Sequence, residues 1–400
     1  MESRKMNEMF PVGYYEFHEN VPMNYQLNRF YSQGVFTYDE LSGIAKRIDG
    51  FESWIRVFTE AGRQAEADRA YLKAATCYGA ARFYALDGQA DENGQDLKRV
   101  LYEDGRRMYD EYLKGVPEIR HVRIPFEDYQ LPVYYVLADE PRGDVVIHSG
   151  YDGTAEEMLL LLPVFRRMGY NTYFFEGPGQ GEVLIRCGVR MTPEWEKCTA
   201  AVLDYFGLAD VTLIGISLGG YLAPRAAAYE KRISRVVMYD LIYDFYGALL
   251  AKMGKKAKFF DYLVRHPKNL LWKSMNKKLE QNYFTKWLLL QGYAIYNNVY
   301  TPCEYFNYIR QFNTREISPL LTQDVLVLAG ENDIYTVFYE EQLKALTNAR
   351  SVTGRLFTKE ECADHHCQVG NMGLLMKTIL DWIEEKTDGE KTGTDGRQKG

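Results

Sequence analysis

The chain has 400 residues, 46% of them hydrophobic, and a formal net charge of −7. This length predicts one large domain with additions, and the apolar content is sufficient for a sizeable core. The negative charge argues against a nucleic-acid partner, because proteins that bind nucleic acid favour a basic face.

Cysteine usage and the apolar runs indicate an intracellular protein. The six cysteines form no Cys-x-x-Cys pair, so we expect no zinc or other metal, and no motif implies a cofactor. The first residues, 1–6, lack the apolar core of a signal peptide. The longest apolar runs, such as residues 158–165, are far too short to span a bilayer. We expect a cytoplasmic protein without a membrane partner.

Residues 1–117 have the pattern of packed helices. Small and aromatic residues recur there at spacings of three and four, as on one face of a helix: Ala67, Ala70, Ala74, Cys77, Ala81 and Tyr84. We therefore predict an N-terminal helical region. Formation of a homodimer through the helical regions is left open.

From residue 118 the pattern changes to short apolar strands that alternate with helices. This pattern covers residues 118–240 and 318–386, and it predicts an α/β fold with a mostly parallel sheet and helices on both faces. Residues 241–317 carry no strand signal, and a structureless loop of that length is improbable, so we predict an inserted helical cap. Residues 387–400 are polar and glycine-rich, which predicts a disordered tail.

Tyrosine is abundant, at 32 residues, and many lie in the N-terminal third and in residues 239–308. Tyrosine suits surfaces with one apolar and one wet side. Two interpretations stay open: the tyrosines pack between layers, or they line an aromatic substrate pocket between those two regions.

The most informative motif is Gly-Ile-Ser-Leu-Gly at residues 215–219. It follows an apolar strand and precedes a predicted helix. A serine between two glycines at a strand-to-helix turn is typical of a nucleophile elbow, so Ser217 is the predicted nucleophile. The alternative is an ordinary glycine-rich turn.

A serine nucleophile needs a histidine to take its proton and an acid to orient that histidine. Asp333, in the turn after a predicted strand, is the preferred acid, because ligands of parallel sheets lie at the carboxyl ends of strands. Glu331 and Asp240 are rivals. The base is one of two neighbouring histidines, His365 and His366, after the last strand. The order serine, acid, histidine is the one expected for α/β-hydrolases.

Two backbone N–H groups must stabilise the oxyanion that forms when the serine attacks a carbonyl. Leu218, directly after the serine and at a helix N-terminus, is predicted to supply one. The other is predicted in the loop after the third strand, where such enzymes place it. We favour the Tyr151 amide, with Gly150 as the rival.

These motifs, with the turn Phe-Glu-Gly-Pro-Gly-Gln-Gly at residues 175–181, resemble the α/β-hydrolase superfamily. They look like one branch, which contains dihydroxypseudooxynicotine hydrolase, polyketide-shortening hydrolases of fungi, and bacterial peptidase- or esterase-like proteins. The resemblance implies Ser217 as nucleophile, Asp333 as acid and His366 as base.

The sequence thus predicts a serine hydrolase that cleaves an ester or related acyl bond of a small or medium organic substrate. The branch resemblance implies carbon–carbon cleavage beside a ketone as an alternative. A peptidase and a catalytically inactive binding module are lesser alternatives.

Overall fold

The computed structural model describes the backbone of residues 9–395 and the side chains of residues 9–387. Its centre is one sheet of eight strands. The strands are β1 (Arg120–Phe126), β2 (Tyr129–Val136), β3 (Gly143–His148), β4 (Tyr170–Phe175), β5 (Val211–Ile216), β6 (Ile233–Tyr239), β7 (Asp324–Gly330) and β8 (Ser351–Phe357).

The strand order in the sheet is β1-β2-β4-β3-β5-β6-β7-β8. The pairs β1/β2 and β2/β4 are antiparallel, and all later pairs are parallel. Every residue of β5 and of β7 is buried, as expected for strands covered on both faces. The predicted α/β fold with a mostly parallel sheet is therefore confirmed.

The N-terminal part of the chain is helical, and its helices pack through an apolar stripe. The helices are α1 (Val21–Ser32), α2 (Tyr38–Ala45), α3 (Phe51–Ala67), α4 (Tyr71–Tyr84) and α5 (Leu97–Leu113). Trp54 of α3 is fully buried and donates from its indole N–H to the carbonyl of Ala80 in α4 at 2.7 Å. A satisfied indole N–H lets this large ring lie in the core at no hydrogen-bonding cost.

Short helices connect the central strands. They are α6 (Ala155–Met158), α7 (Leu162–Arg167), α8 (Gly181–Ile185), α9 (Trp195–Phe206) and α10 (Gly219–Tyr229). A 3-10 turn at Leu159–Leu161 separates α6 from α7. Pro163 lies in the first turn of α7, where its missing N–H is tolerated.

Between β6 and β7 the chain forms five further α-helices, in the region predicted as a helical cap. They are α11 (Phe245–Lys252), α12 (Ala257–Arg265), α13 (Leu271–Gln281), α14 (Tyr283–Ile295) and α15 (Pro302–Tyr308). The ring of Tyr283 in α14 stacks on Phe51 of α3, with centroids 4.7 Å apart. The cap and the N-terminal helices therefore contact each other directly.

The chain continues into α16 (Tyr339–Ala345) and α17 (Met372–Asp395). A disordered tail was predicted for residues 387–400, and α17 runs past its predicted start, through residue 395. Residues 396–400 lie outside the described part of the chain. In residues 9–395, none of the helices combines the length and the apolar character needed to cross a membrane.

Candidate active site

Ser217 lies in the sharp turn between β5 and α10, with a positive backbone φ of 59°. A non-glycine residue adopts this conformation at a cost, and such residues concentrate at functional sites. The turn is tight, because a Cβ on Gly215 would lie 2.1 Å from the carbonyl oxygen of Gly219. Only glycine fits at position 215, and this steric limit explains why the motif begins with glycine.

A chain of hydrogen bonds joins three side chains that are distant in the sequence. Ser217 Oγ is 2.9 Å from His366 Nε2, and His366 Nδ1 is 2.6 Å from Asp333 Oδ2. Asp333 is only 8% exposed, so its attraction for the imidazole is weakly screened by water. This arrangement can transfer the serine proton to the imidazole and stabilise the resulting imidazolium.

The structure brings His366, and not His365, to the serine. His365 stacks on Tyr14 with ring centroids 3.7 Å apart, and its Nε2 is 3.8 Å from Asp364 Oδ2. The rival acid Glu331 is exposed and accepts a hydrogen bond from the Lys359 amide at 2.9 Å. In this arrangement His365 does not contact the serine, and Glu331 does not contact His366.

The electrostatics of the pair follow from burial and charge. Burial opposes ionisation of Asp333, but His366 lowers the pKa of Asp333 below its usual range. Burial likewise opposes protonation of His366, but the Asp333 carboxylate raises the pKa of His366 well above its ordinary value. The histidine is thus a stronger base than a free imidazole.

Asp240, named from the sequence only as a rival acid, lies directly beside this pair. It is completely buried, and its Oδ2 is 3.5 Å from His366 Nδ1. Its two oxygens accept hydrogen bonds from the Cys367 amide and from Gln368 Nε2, each at 2.7 Å. Burial, with the nearby Asp333 charge, raises the pKa of Asp240 to about 8. Burial thus shifts the Asp240 carboxyl towards its neutral form, whereas His366 shifts the Asp333 carboxyl towards its ionised form.

The two predicted oxyanion donors lie in neighbouring loops. A Cβ on Gly150 would lie 2.5 Å from the Leu218 amide nitrogen and 3.0 Å from Ser217 Cβ, so the loop after β3 packs closely against the elbow. Within residues 9–395, neither the Leu218 amide nor the Tyr151 amide donates to another protein group. The two amides therefore stay the predicted oxyanion donors.

The turn at residues 175–181 contacts the same loop through side chains that the sequence did not single out. Glu176 is buried and accepts hydrogen bonds from the amides of Ala155 at 2.7 Å and Glu182 at 2.8 Å. Gln180 donates to the carbonyls of Ser149 and Gly150. The glycine-rich pattern predicted a tight turn, but it gave no signal for these long-range contacts.

Tyrosines from several elements surround the site. Tyr25 of α1 donates to the carbonyl of His366 at 3.0 Å, and Tyr239 of β6 donates to that of Cys367 at 3.1 Å. The ring centroid of Tyr335 is 5.6 Å from that of His366. These tyrosines pack against the histidine loop, and the aromatic substrate pocket stays a prediction.

A cleft of about 420 Å³ has Tyr151 and Asp152 among its lining residues. Arg82 and Lys98 of the N-terminal helices line one wall, and the cap helix α14 lines the other, with Gln291 among its residues. The cleft borders the loop after β3, but Ser217, His366 and Asp333 are not among its lining residues.

One group of side chains in the described part of the chain has the spacing of metal ligands. Ligand atoms of Asp240, His366 and Cys367 lie within 4.8 Å of one another. His366 and Asp240 already form the protein hydrogen bonds described above, so we interpret this group as part of a hydrogen-bond network rather than as a metal site.

The family profile described as alpha/beta hydrolase fold matches residues 155–369, more than half of the chain. Hydrolyase poxO of Penicillium oxalicum is 34% identical over 204 residues, which cover 46% of this chain and 47% of poxO. Alpha/beta hydrolase psoB of Aspergillus fumigatus is 32% identical over 239 residues, covering 48% of this chain and 51% of psoB. The chain thus spans about half the length of the curated relatives it matches.

Among solved structures, 2,6-dihydroxy-pseudo-oxynicotine hydrolase is similar with a TM-score of 0.64 and 19% identity, over 89% of this chain and 94% of that one. AbyA5 has a TM-score of 0.64 and 18% identity, over 88% and 93% of the two chains. At these identities the likeness concerns the fold. The branch resemblance predicted from the motifs is confirmed, and the chain belongs to the alpha/beta hydrolase fold family.

Proposed function

We propose that this chain is a serine hydrolase that cleaves an ester or related acyl bond of a small or medium organic substrate. The observation that carries the proposal is the continuous hydrogen-bond chain from Ser217 through His366 to Asp333, at 2.9 and 2.6 Å. A serine hydroxyl becomes a useful nucleophile only with such an adjacent base.

In the proposed reaction, His366 Nε2 takes the Ser217 proton while Oγ forms a bond to the substrate carbonyl carbon. The amides of Leu218 and Tyr151 stabilise the negative charge on the carbonyl oxygen. The intermediate collapses, the bond to the leaving group breaks, and His366 gives its proton to the leaving alcohol. Water, deprotonated by His366, then hydrolyses the acyl-enzyme, releases the acid and restores Ser217.

A second candidate is hydrolysis of a carbon–carbon bond beside a ketone, which the branch resemblance also implies. This reaction leaves a carbanion that must receive a proton. The Asp333 carboxylate raises the pKa of His366 well above its ordinary value, so the imidazolium that forms when His366 takes the serine proton is stabilised and can give that proton to the carbanion. Product analysis with an aryl ester and with a β-diketone distinguishes the two candidates.

Steady-state kinetics of Ser217→Ala test the proposal on a panel of p-nitrophenyl esters and β-diketones. We expect kcat to fall by about three or more orders of magnitude, because a triad without its nucleophile retains only binding and oxyanion stabilisation. Undiminished turnover in this variant contradicts a serine mechanism. Absence of any turnover by the wild-type chain, with no reaction of Ser217 with a fluorophosphonate, supports an inactive binding module instead.

A further inference from the structure

The side chain of Gln180 forms hydrogen bonds with the loop that carries the proposed oxyanion donor Tyr151. Its Nε2 donates to the carbonyl of Ser149 at 2.7 Å and to that of Gly150 at 2.9 Å. Its Oε1 accepts a hydrogen bond from the Gly177 amide at 3.1 Å. Gln180 is 1% exposed, and both ends of its amide are engaged, so its orientation is fixed.

The hydrogen bond from Gln180 to the Gly150 carbonyl determines the direction of the Tyr151 N–H group. The carbonyl of Gly150 and the N–H of Tyr151 belong to one peptide unit, and in a trans peptide these two groups point in opposite directions. Because the carbonyl is tied to Gln180, the Tyr151 N–H is directed away from Gln180.

The order of the strands places Ser217 on the side of the loop after β3 that faces away from Gln180. In the sheet, β3 lies between β4 and β5. Gln180 follows β4, the loop with Gly150 follows β3, and Ser217 follows β5. A Cβ on Gly150 would meet Leu218 and Ser217 within 3.0 Å, so the loop contacts the elbow directly.

We propose that Gln180 is a positioning residue that aims the Tyr151 N–H at the oxyanion, beside the N–H of Leu218. The inference rests on the proposed function, because an oxyanion forms only if Ser217 attacks a carbonyl or an equivalent centre. It selects Tyr151 rather than Gly150 as the second donor, and it gives the turn at residues 175–181 a role in the reaction.

The expected effect lies in the transition state. An oxyanion donor acts only when charge develops, so a misdirected N–H lowers the maximal rate and leaves ground-state affinity unchanged. Complete loss of such a donor costs about 10²–10³ in rate. An N–H that is misdirected but still present should cost about 10- to 100-fold.

The test compares Gln180→Met with a matched control, Gln323→Met. Gln323 is also buried, donates to the carbonyl of Ala227 at 2.8 Å and accepts from the Thr322 amide at 2.9 Å. It immediately precedes β7, at the opposite end of the strands from the site. The probe is a fluorophosphonate, whose P–F bond breaks as its phosphorus binds the serine oxygen and its P=O group occupies the oxyanion position.

We expect Gln180→Met to react about 10- to 100-fold more slowly at saturating probe. Its half-saturating probe concentration should be unchanged, and its thermal midpoint should match that of Gln323→Met, which should react at the wild-type rate. The proposal is overturned if Gln180→Met reacts within twofold of wild type, if the loss lies in probe affinity, or if Gln323→Met loses as much.

Ser217→Ala separates this proposal from the function on which it rests. Unchanged labelling of Ser217→Ala contradicts the serine mechanism itself. No labelling of Ser217→Ala, together with a wild-type rate for Gln180→Met, contradicts only the role of Gln180.

Discussion

At the scale of single residues, the site is built from two carboxyl groups around one histidine. Asp333 Oδ2 lies 2.6 Å from His366 Nδ1, while Asp240 Oδ2 lies 3.5 Å from the same atom. Two buried carboxyl groups beside one imidazole oppose each other's ionisation, because like charges repel strongly in a medium of low dielectric. The two acids therefore have different roles, although both follow parallel strands.

Substitution by asparagine distinguishes these roles. Asp333→Asn should lower kcat by about 10⁴-fold, because the imidazole loses the charge that orients and stabilises it. Asp240→Asn should cost less than about tenfold, the worth of one hydrogen bond, because asparagine resembles the neutral acid. Steady-state kinetics of both variants are the measurement, and an equal loss in both would show that Asp240 acts as the charged partner.

The pH dependence of the reaction follows from His366. Only the neutral imidazole accepts the serine proton, and Asp333 raises the pKa of His366. Activity should therefore rise with pH through a midpoint above about 6.5, the ordinary histidine value. The midpoint of kcat/KM for Asp333→Asn should lie at lower pH. A wild-type midpoint below the ordinary value would contradict the assigned partner.

At the scale of elements, the sequence was most informative where local sterics dictate the residue type. The elbow was predictable because a serine at positive φ, flanked by glycines, follows a buried strand. The long-range contacts of Gln180 and Asp240 were not predictable, because these partners lie in other loops and leave no local pattern. The helix α17 continues past residue 387, where the tail was predicted to begin, because a polar composition does not by itself end a helix.

Gly150 provides a test of the contact between the two loops. Gly150→Ala should abolish most activity, since its Cβ would lie 2.5 Å from the Leu218 nitrogen and would displace a proposed oxyanion donor. Gly43→Ala, in α2, is the matched control, because its Cβ would have no atom within 4 Å. The control should keep full activity and gain up to about 1 kcal/mol in stability. Full activity in Gly150→Ala would contradict the close approach.

At the scale of the whole molecule, the cap and the N-terminal helices are joined by aromatic contacts beside the cleft. The indole N–H of Trp287 in α14 donates to the carbonyl of Phe83 in α4 at 2.5 Å, and its ring centroid is 5.2 Å from that of Tyr84. Helix periodicity predicted both helical regions, but it could not predict that they meet, because the contact spans some two hundred positions of sequence.

Trp287 is the residue whose removal should loosen this junction. Trp287→Ala should lower the free energy of unfolding by about 3–5 kcal/mol, as expected for a buried aromatic ring. Trp287→Phe, which keeps a ring and loses the N–H, should cost about 1 kcal/mol. Tyr300→Ala, at a cap residue that is 64% exposed, is the control and should change little. Denaturant unfolding measures the free energy of unfolding of all three variants. A wild-type midpoint for Trp287→Ala would contradict a stabilising contact between the cap and the N-terminal helices.

The reactivity of Ser217 is tested most directly by peptide mapping after treatment with a fluorophosphonate. We predict a single phosphonyl group on the peptide that contains Ser217, slower labelling in His366→Ala, and no label in Ser217→Ala. A label on another residue, or equal labelling when His366 is removed, would contradict activation of this serine by this histidine.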